Sequence, residues 1–239
     1  MRKVFFAVML ILSVTACAPE VAPTEGQSNG DEQPISTDVP MDLTPAQRAA
    51  IAALSENLGL ATNEITLVSS EAVDWPDDCL GVYDEGLTCT PAITPGFSII
   101  LGEKGKEVEY HTNEDGTHIR PASVALTWKR EGGFAGFCDF MTIYHSGEVH
   151  GNSCKQGQYV EERLINVLSK AEIAKLDEWV KNYGTISIDA SDPKGVSDRM
   201  VVTLTLIGTG SQQVLSTSNK QELLNFAQEL YPQLYLNLK

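Results

Sequence analysis

The chain lacks any apolar stretch long enough to cross a membrane as a helix. Its longest, Val4 to Val14, is about 11 residues, where the bilayer core asks for ~20. Positive charge is also scarce: 17 lysines and arginines stand against 32 aspartates and glutamates, a net charge of −15 over 239 residues. Such a surface repels nucleic acid and anionic lipid headgroups, so no nucleic-acid partner is expected. Catalytic signatures are missing as well. The single Gly-x-Ser-x-Gly run, Gly26 to Gly30, lies among prolines with no strand before it, and there is no Walker A loop and no Gly-x-Gly-x-x-Gly run after a strand. His111, His118, His145 and His150 show neither the helical i, i+4 pair of a zinc protease nor a clustered Cys/His spacing. Asp189, Asp192 and Asp198 lack the alternation and glycine of a calcium loop. Only a hairpin at Asp115-Gly116, with His118 facing Asn113 diagonal to His111, suggests a surface metal pair, and only weakly. The expectation is a non-enzymatic chain with no catalytic residue, no cofactor and no metal.

What is present begins with a leader. Arg2 and Lys3 precede the apolar run, which ends at Val14-Thr15-Ala16-Cys17. This pattern reads as a signal peptide over residues 1–16. The tetrapeptide resembles the lipobox of bacterial lipoproteins. That resemblance implies that the Cys17 thiol takes a diacylglyceryl group and becomes the first residue of the mature chain. A single acyl chain binds membranes at only ~10⁴ M⁻¹, so the two or three of a lipoprotein make the anchor durable. A membrane held through lipid is therefore an expected partner. Ala18 stands where an aspartate would mark inner-membrane retention in many diderm bacteria, which favours the outer membrane or cell surface. From Ala18 to Asp42 there is no aromatic residue, and Pro19, Pro23, Pro34 and Pro40 punctuate a Gly, Ser, Thr, Glu and Asp background. Residues 17–42 read as a lipidated flexible tether with an r.m.s. span of roughly 25 to 30 Å.

With Cys17 given to lipid, Cys79, Cys89, Cys138 and Cys154 remain, an even set in a chain bound for an oxidising compartment. Cys79 and Cys89 bracket one short loop and are expected to pair. For the other two, turn chemistry supplies a register. If His145-Ser146-Gly147 forms a three-residue hairpin loop with Gly147 left-handed, Tyr144 faces Glu148 and Cys138 faces Cys154. Directly opposed residues lie within disulfide reach.

The rest predicts an α+β fold. Two small domains are expected, 43–122 and 123–239, each an antiparallel sheet packed with amphipathic helices. Thr44-Pro45-Ala46-Gln47 has the form of a capping box, with Ile51, Leu54 and Leu58 on one face and Gly59 as a stop. Strands follow over Ile65 to Trp75, Phe97 to Leu101 and Glu107 to Thr112, with a tight turn at Glu103-Lys104-Gly105. In the second half, Val124 to Arg130 is a strand and Ser169-Lys170-Ala171-Glu172 caps a helix that ends near Gly184. Met200 to Ile207 is a strand with Gln212 to Thr217 as its expected hairpin partner. Ser218 to Leu230 closes the fold as a helix stopped by Pro232.

Trp128-Lys129-Arg130-Glu131-Gly132-Gly133-Phe134-Ala135-Gly136-Phe137, with the helix start at Leu168-Ser169 and the strand Met200 to Ile207, resembles the emfourin family, small proteinaceous inhibitors of thermolysin-like metallopeptidases. The resemblance covers under half the chain. It implies an extracellular protein partner such as a metallopeptidase, and it makes the loop Gly132, Gly133, Phe134, Ala135 and Gly136 the candidate partner-binding element. The Cys138/Cys154 pair and the lipid anchor depart from that family. Asp74-Trp75-Pro76-Asp77, Cys79-Leu80-Gly81-Val82 and Ile93-Thr94-Pro95-Gly96 look like a short module that recurs in uncharacterised exported bacterial proteins. The expected function is a membrane-anchored extracytoplasmic protein-binding lipoprotein, in its most specific form a protease inhibitor. The alternative is an envelope enzyme or small-ligand-binding lipoprotein using an inter-domain pocket.

Overall fold

Helix α1 (Pro45–Leu58) forms where its cap says it should. Thr44 Oγ1 accepts the Gln47 N–H at 3.2 Å, the Gln47 side chain accepts the Thr44 N–H at 2.9 Å, and Gly59 closes the helix at φ 61°. Its buried face, with Ala46, Ala50, Ile51, Leu54 and Leu58, packs on a sheet of four antiparallel strands in sequential order. These are β1 (Thr66–Trp75), β2 (Thr94–Glu103), β3 (Lys106–Asn113) and β4 (Ile119–Pro121). Alternation decides which residues meet the helix: Ile99 and Leu101 of β2 and Val108 and Tyr110 of β3 are fully buried. The β2–β3 turn holds Lys104 and Gly105, both at positive φ (46° and 80°), as a two-residue hairpin loop of type I′ demands.

The computed structural model describes residues 42–154 and 164–234. The leader, Cys17 and the tether expected over 17–42, save its last residue, lie outside the described residues. Among the described residues no helix is long and apolar enough to cross a membrane.

The second sheet has six antiparallel strands in the order β8-β7-β6-β5-β10-β9. They are β5 (Val124–Gly132), β6 (Phe137–Tyr144), β7 (Glu148–Ser153), β8 (Leu164–Val167), β9 (Ile186–Asp189) and β10 (Met200–Leu206). Helices α2 (Lys170–Asn182) and α3 (Thr217–Gln233) share its core, in which Trp128, Met141, Leu176, Trp179, Leu204 and Phe226 are buried. The fold is thus α+β with two antiparallel sheets and two apolar cores, and Ile173 of α2 packs against both. Both sheets lie in one compact unit.

The β6–β7 hairpin has the register that its turn dictates. Gly147 sits at φ 84°, its N–H bonds the Tyr144 carbonyl at 3.0 Å, and Ile143 faces Val149, Met141 faces Gly151 and Asp139 faces Ser153. One step further the Cys154 N–H meets the Cys138 carbonyl at 2.8 Å and the two cysteines form a disulfide with Cα atoms 5.2 Å apart. A second disulfide joins Cys79 to Cys89.

The structure corrects two expectations. Gln212 to Thr217 is not the partner of β10, whose neighbours are β5 and β9, and Gln212 makes only a lone bridge to Tyr183. The chain after β10 is drawn instead onto the carbonyl end of α2. There the Thr209 N–H bonds the Val180 carbonyl at 2.9 Å and the Gly210 N–H bonds that of Tyr183 at 2.8 Å. A Cβ at Gly208 would lie 2.1 Å from the Tyr183 oxygen, so the approach requires a residue without one. Helix α2 does end near Gly184, which follows its cap, Tyr183. Pro232 does not stop α3, which runs to Gln233. Proline so near the end forfeits little helical bonding, while Tyr231 and Leu234 on either side of it are buried in the core.

Candidate functional site

Two glycine-containing loops meet opposite fates. The first is the connection from β1 to β2, tied by Cys79–Cys89. Asp77 organises it: one carboxylate oxygen accepts the N–H of Cys79 at 3.0 Å and of Gly81 at 3.3 Å, and the other accepts the Tyr83 hydroxyl at 2.5 Å. The Tyr83 bond is the main reason that its carboxyl sits below the ordinary carboxylate value. Leu80 is turned fully inward, and its carbonyl meets His111 Nδ1 at 2.7 Å while that ring stacks on Trp75. His111 Nε2 faces Glu109 at 3.1 Å, so both nitrogens of the histidine weighed for a surface metal pair are engaged.

The same loop then crosses to the six-stranded sheet. Asp84 is buried, and it receives the Arg120 guanidinium at 2.7 Å, His150 Nδ1 at 3.0 Å and the Tyr144 hydroxyl. Burial pushes its carboxyl up, but the hydrogen bond and charge of His150, the Tyr144 hydroxyl and the Arg120 charge outweigh it. The carboxyl stays far below the usual range. His150 Nε2 faces Glu148 at 3.2 Å, and Glu148 in turn takes the Asn57 amide at 2.8 Å. Tyr110, beside Glu148 and fully buried, has its hydroxyl pushed well above the usual phenol value by burial and by that carboxylate. This network joins α1, the disulfide loop, β4, β6 and β7. None of it was read from the sequence, because its partners stand 36, 60 and 66 positions apart. Among the described residues Asp77, Cys79 and Cys89 are the one set grouped as metal ligands would be, but the two sulfurs are joined in a disulfide and present no thiolate.

The second loop is the glycine-rich one. β5 runs through Gly132 and β6 begins at Phe137, so Gly133, Phe134, Ala135 and Gly136 form the hairpin tip. Gly132, Gly133 and Gly136 all have positive φ (87°, 68° and 60°), and the Gly133 N–H bonds the Arg199 carbonyl at 3.1 Å. A Cβ at Gly132 would lie 2.4 Å from that same oxygen, which pins the base of the loop against the β9–β10 connection. Phe134 is 94% exposed, the most exposed large apolar side chain described.

Beneath the tip the sheet is rigidly braced. Arg130 and Asp139 are cross-strand partners, with Arg130 Nε 3.0 Å from the carboxylate, and the guanidinium stacks 3.9 Å above the Phe137 ring. Asp139 is buried and also accepts from Ser153 at 3.2 Å and from the Tyr231 hydroxyl at 3.1 Å. Strands β5, β6 and β7 and helix α3 thus converge on one carboxylate below the loop. The arrangement presents an aromatic ring on a pinned backbone turn.

Compared with known proteins, residues 47–121 match a family described as a domain of unknown function (DUF8738). No curated protein matches the chain. No solved structure does either.

Proposed function

We propose that this chain is an extracytoplasmic lipoprotein, anchored through Cys17, whose work is to bind another protein through the Gly132–Gly136 loop, most specifically by inhibiting a metallopeptidase. The observation that carries the reading is Phe134, which keeps an aromatic ring almost wholly in water on a loop with a fixed base. Exposed aromatic anchors on preorganised backbone are where binding energy concentrates in protein interfaces, because little ordering entropy remains to be lost. The buried carboxylates, by contrast, are engaged with one another's partners rather than aimed at solvent. Two disulfides support a life in an oxidising compartment.

The test is inhibition of a thermolysin-like protease by the full chain carrying Cys17→Ala, which keeps it out of membranes. Micromolar chain should suppress peptide hydrolysis, and Phe134→Ala should weaken suppression by at least tenfold. Undiminished hydrolysis with the parent chain removes the inhibitor reading, and equal potency of Phe134→Ala removes this loop as the contact.

A further inference from the structure

A groove of about 870 Å³ opens where the β2–β3 turn, the end of α1 and one face of α2 come together. Its volume lies in the range of small-molecule sites. The α2 residues that line it, Lys170, Ile173, Ala174, Asp177, Val180 and Lys181, recur at helical spacing and so form one stripe. Leu58 and Leu60 face that stripe from the end of α1 and continue its apolar middle.

Charge in the groove runs against the rest of the molecule. In a chain with nearly twice as many acidic as basic residues, four lysines converge here. Two are already committed: Lys106 lies 2.9 Å from Asp177 and Lys104 lies 3.0 Å from Glu103. The other two mark the ends of the α2 stripe, three turns or roughly 16 Å apart. Lys170 reaches only the Gly59 carbonyl, at 3.5 Å, and Lys181 has no ion-pair or hydrogen-bond partner among the described residues. On the groove wall, His145 Nδ1 is buried with no hydrogen-bond partner, an unmet demand of the kind that a folded chain seldom tolerates without cause. Burial and the neighbouring Lys106 hold the His145 imidazole below its usual value, so the ring adds no fixed charge at neutral pH.

We infer that this groove binds a small amphipathic carboxylate, whose aliphatic body lies along Leu58, Leu60, Ile173 and Val180 and whose acid group pairs with Lys181. The site is separate from the Phe134 loop and stands or falls independently of it. An apolar floor selects for hydrocarbon, and an unpaired ammonium at its end selects the sign of the head group. The acidity of the rest of the surface repels anions, so the selection is local: the four ammoniums lining the groove outnumber its carboxylates Glu103, Glu107 and Asp177.

Isothermal titration of the Cys17→Ala chain with octanoate, and with octylammonium as the equal-length cation, tests this. Octanoate should bind at a single saturable site, at least tenfold tighter than octylammonium and weakening as salt is raised. Lys181→Glu should lower octanoate affinity at least tenfold and Lys170→Glu less, with circular dichroism unchanged because both side chains are exposed. Equal affinity for the two amphiphiles, no saturable octanoate binding up to millimolar, or an indifferent Lys181→Glu would each overturn the proposal.

Discussion

The two glycine-containing loops direct their side chains in opposite senses. The disulfide loop, 76–93, sends Asp77, Leu80 and Asp84 inward and closes a polar network across both sheets. The glycine loop, 133–136, sends Phe134 outward and is held at its base by the Gly133 N–H on the Arg199 carbonyl. Both contain glycines at positive φ, and a disulfide lies close by in each case. The lesson is that glycine content and a nearby cystine do not distinguish a structural loop from a presenting one. The distinction lies in whether the loop carries charged atoms that find buried partners, as Asp77 and Asp84 do, and the partners of Asp84 stand far along the chain.

Perturbation should separate them sharply. Asp84→Ala should lower unfolding free energy by about 3 to 5 kcal/mol, measured by urea denaturation at pH 7, since it leaves Arg120 and His150 buried without their carboxylate. Its pH dependence has a definite sign. A carboxyl depressed in the folded state contributes fully above its unfolded value, ~3.9, and progressively less as pH falls below that. The gap between parent and Asp84→Asn should therefore be constant from pH 5 to 8 and narrow below about pH 4. A gap that widens in acid would mean that the network is not held by an ionised Asp84.

Next in size is the Cys79→Ser, Cys89→Ser double variant, expected to lose about 3 kcal/mol for a loop of this length in the chain-entropy model. Differential scanning calorimetry should show the lower Tm, and a loss under 1 kcal/mol would mean that the Asp77 and Asp84 bonds alone hold the loop. Smallest is Phe134→Ala, which should change stability by less than about 0.5 kcal/mol because the ring touches so little. A larger loss would contradict the view of the tip as a presenting element.

How much of this was legible beforehand follows the range of the interactions. Capping boxes at Thr44 and Ser169 and the alternation of the strands are local, and they appear where the sequence places them. So is the β6–β7 register, because Gly147 fixes the turn and the turn fixes every opposed pair to Cys138 and Cys154. Strands β8 and β9, at four residues each, are too short to give a period and were not anticipated. Their places as the outer strands come from tertiary pairing. The misplaced partner of β10 has the same origin: the glycines at 208 and 210 look like a hairpin turn, but they serve a close approach to the carbonyls of α2. Of the candidate site, the loop itself was visible as a glycine run flanked by strands. The bracing carboxylate of Asp139 was not, since its partners arrive from β5, β7 and α3.

The position of Asp84 makes the chain lopsided if it is divided after residue 122. The first piece keeps both Asp84 and Arg120, and the matched segment 47–121 contains that pair whole, so it retains its own charge balance. The second piece inherits Tyr144, Glu148 and His150, stripped of the aspartate that the imidazole and phenol face. The second piece, in its present form, is therefore built around an aspartate that only the first supplies.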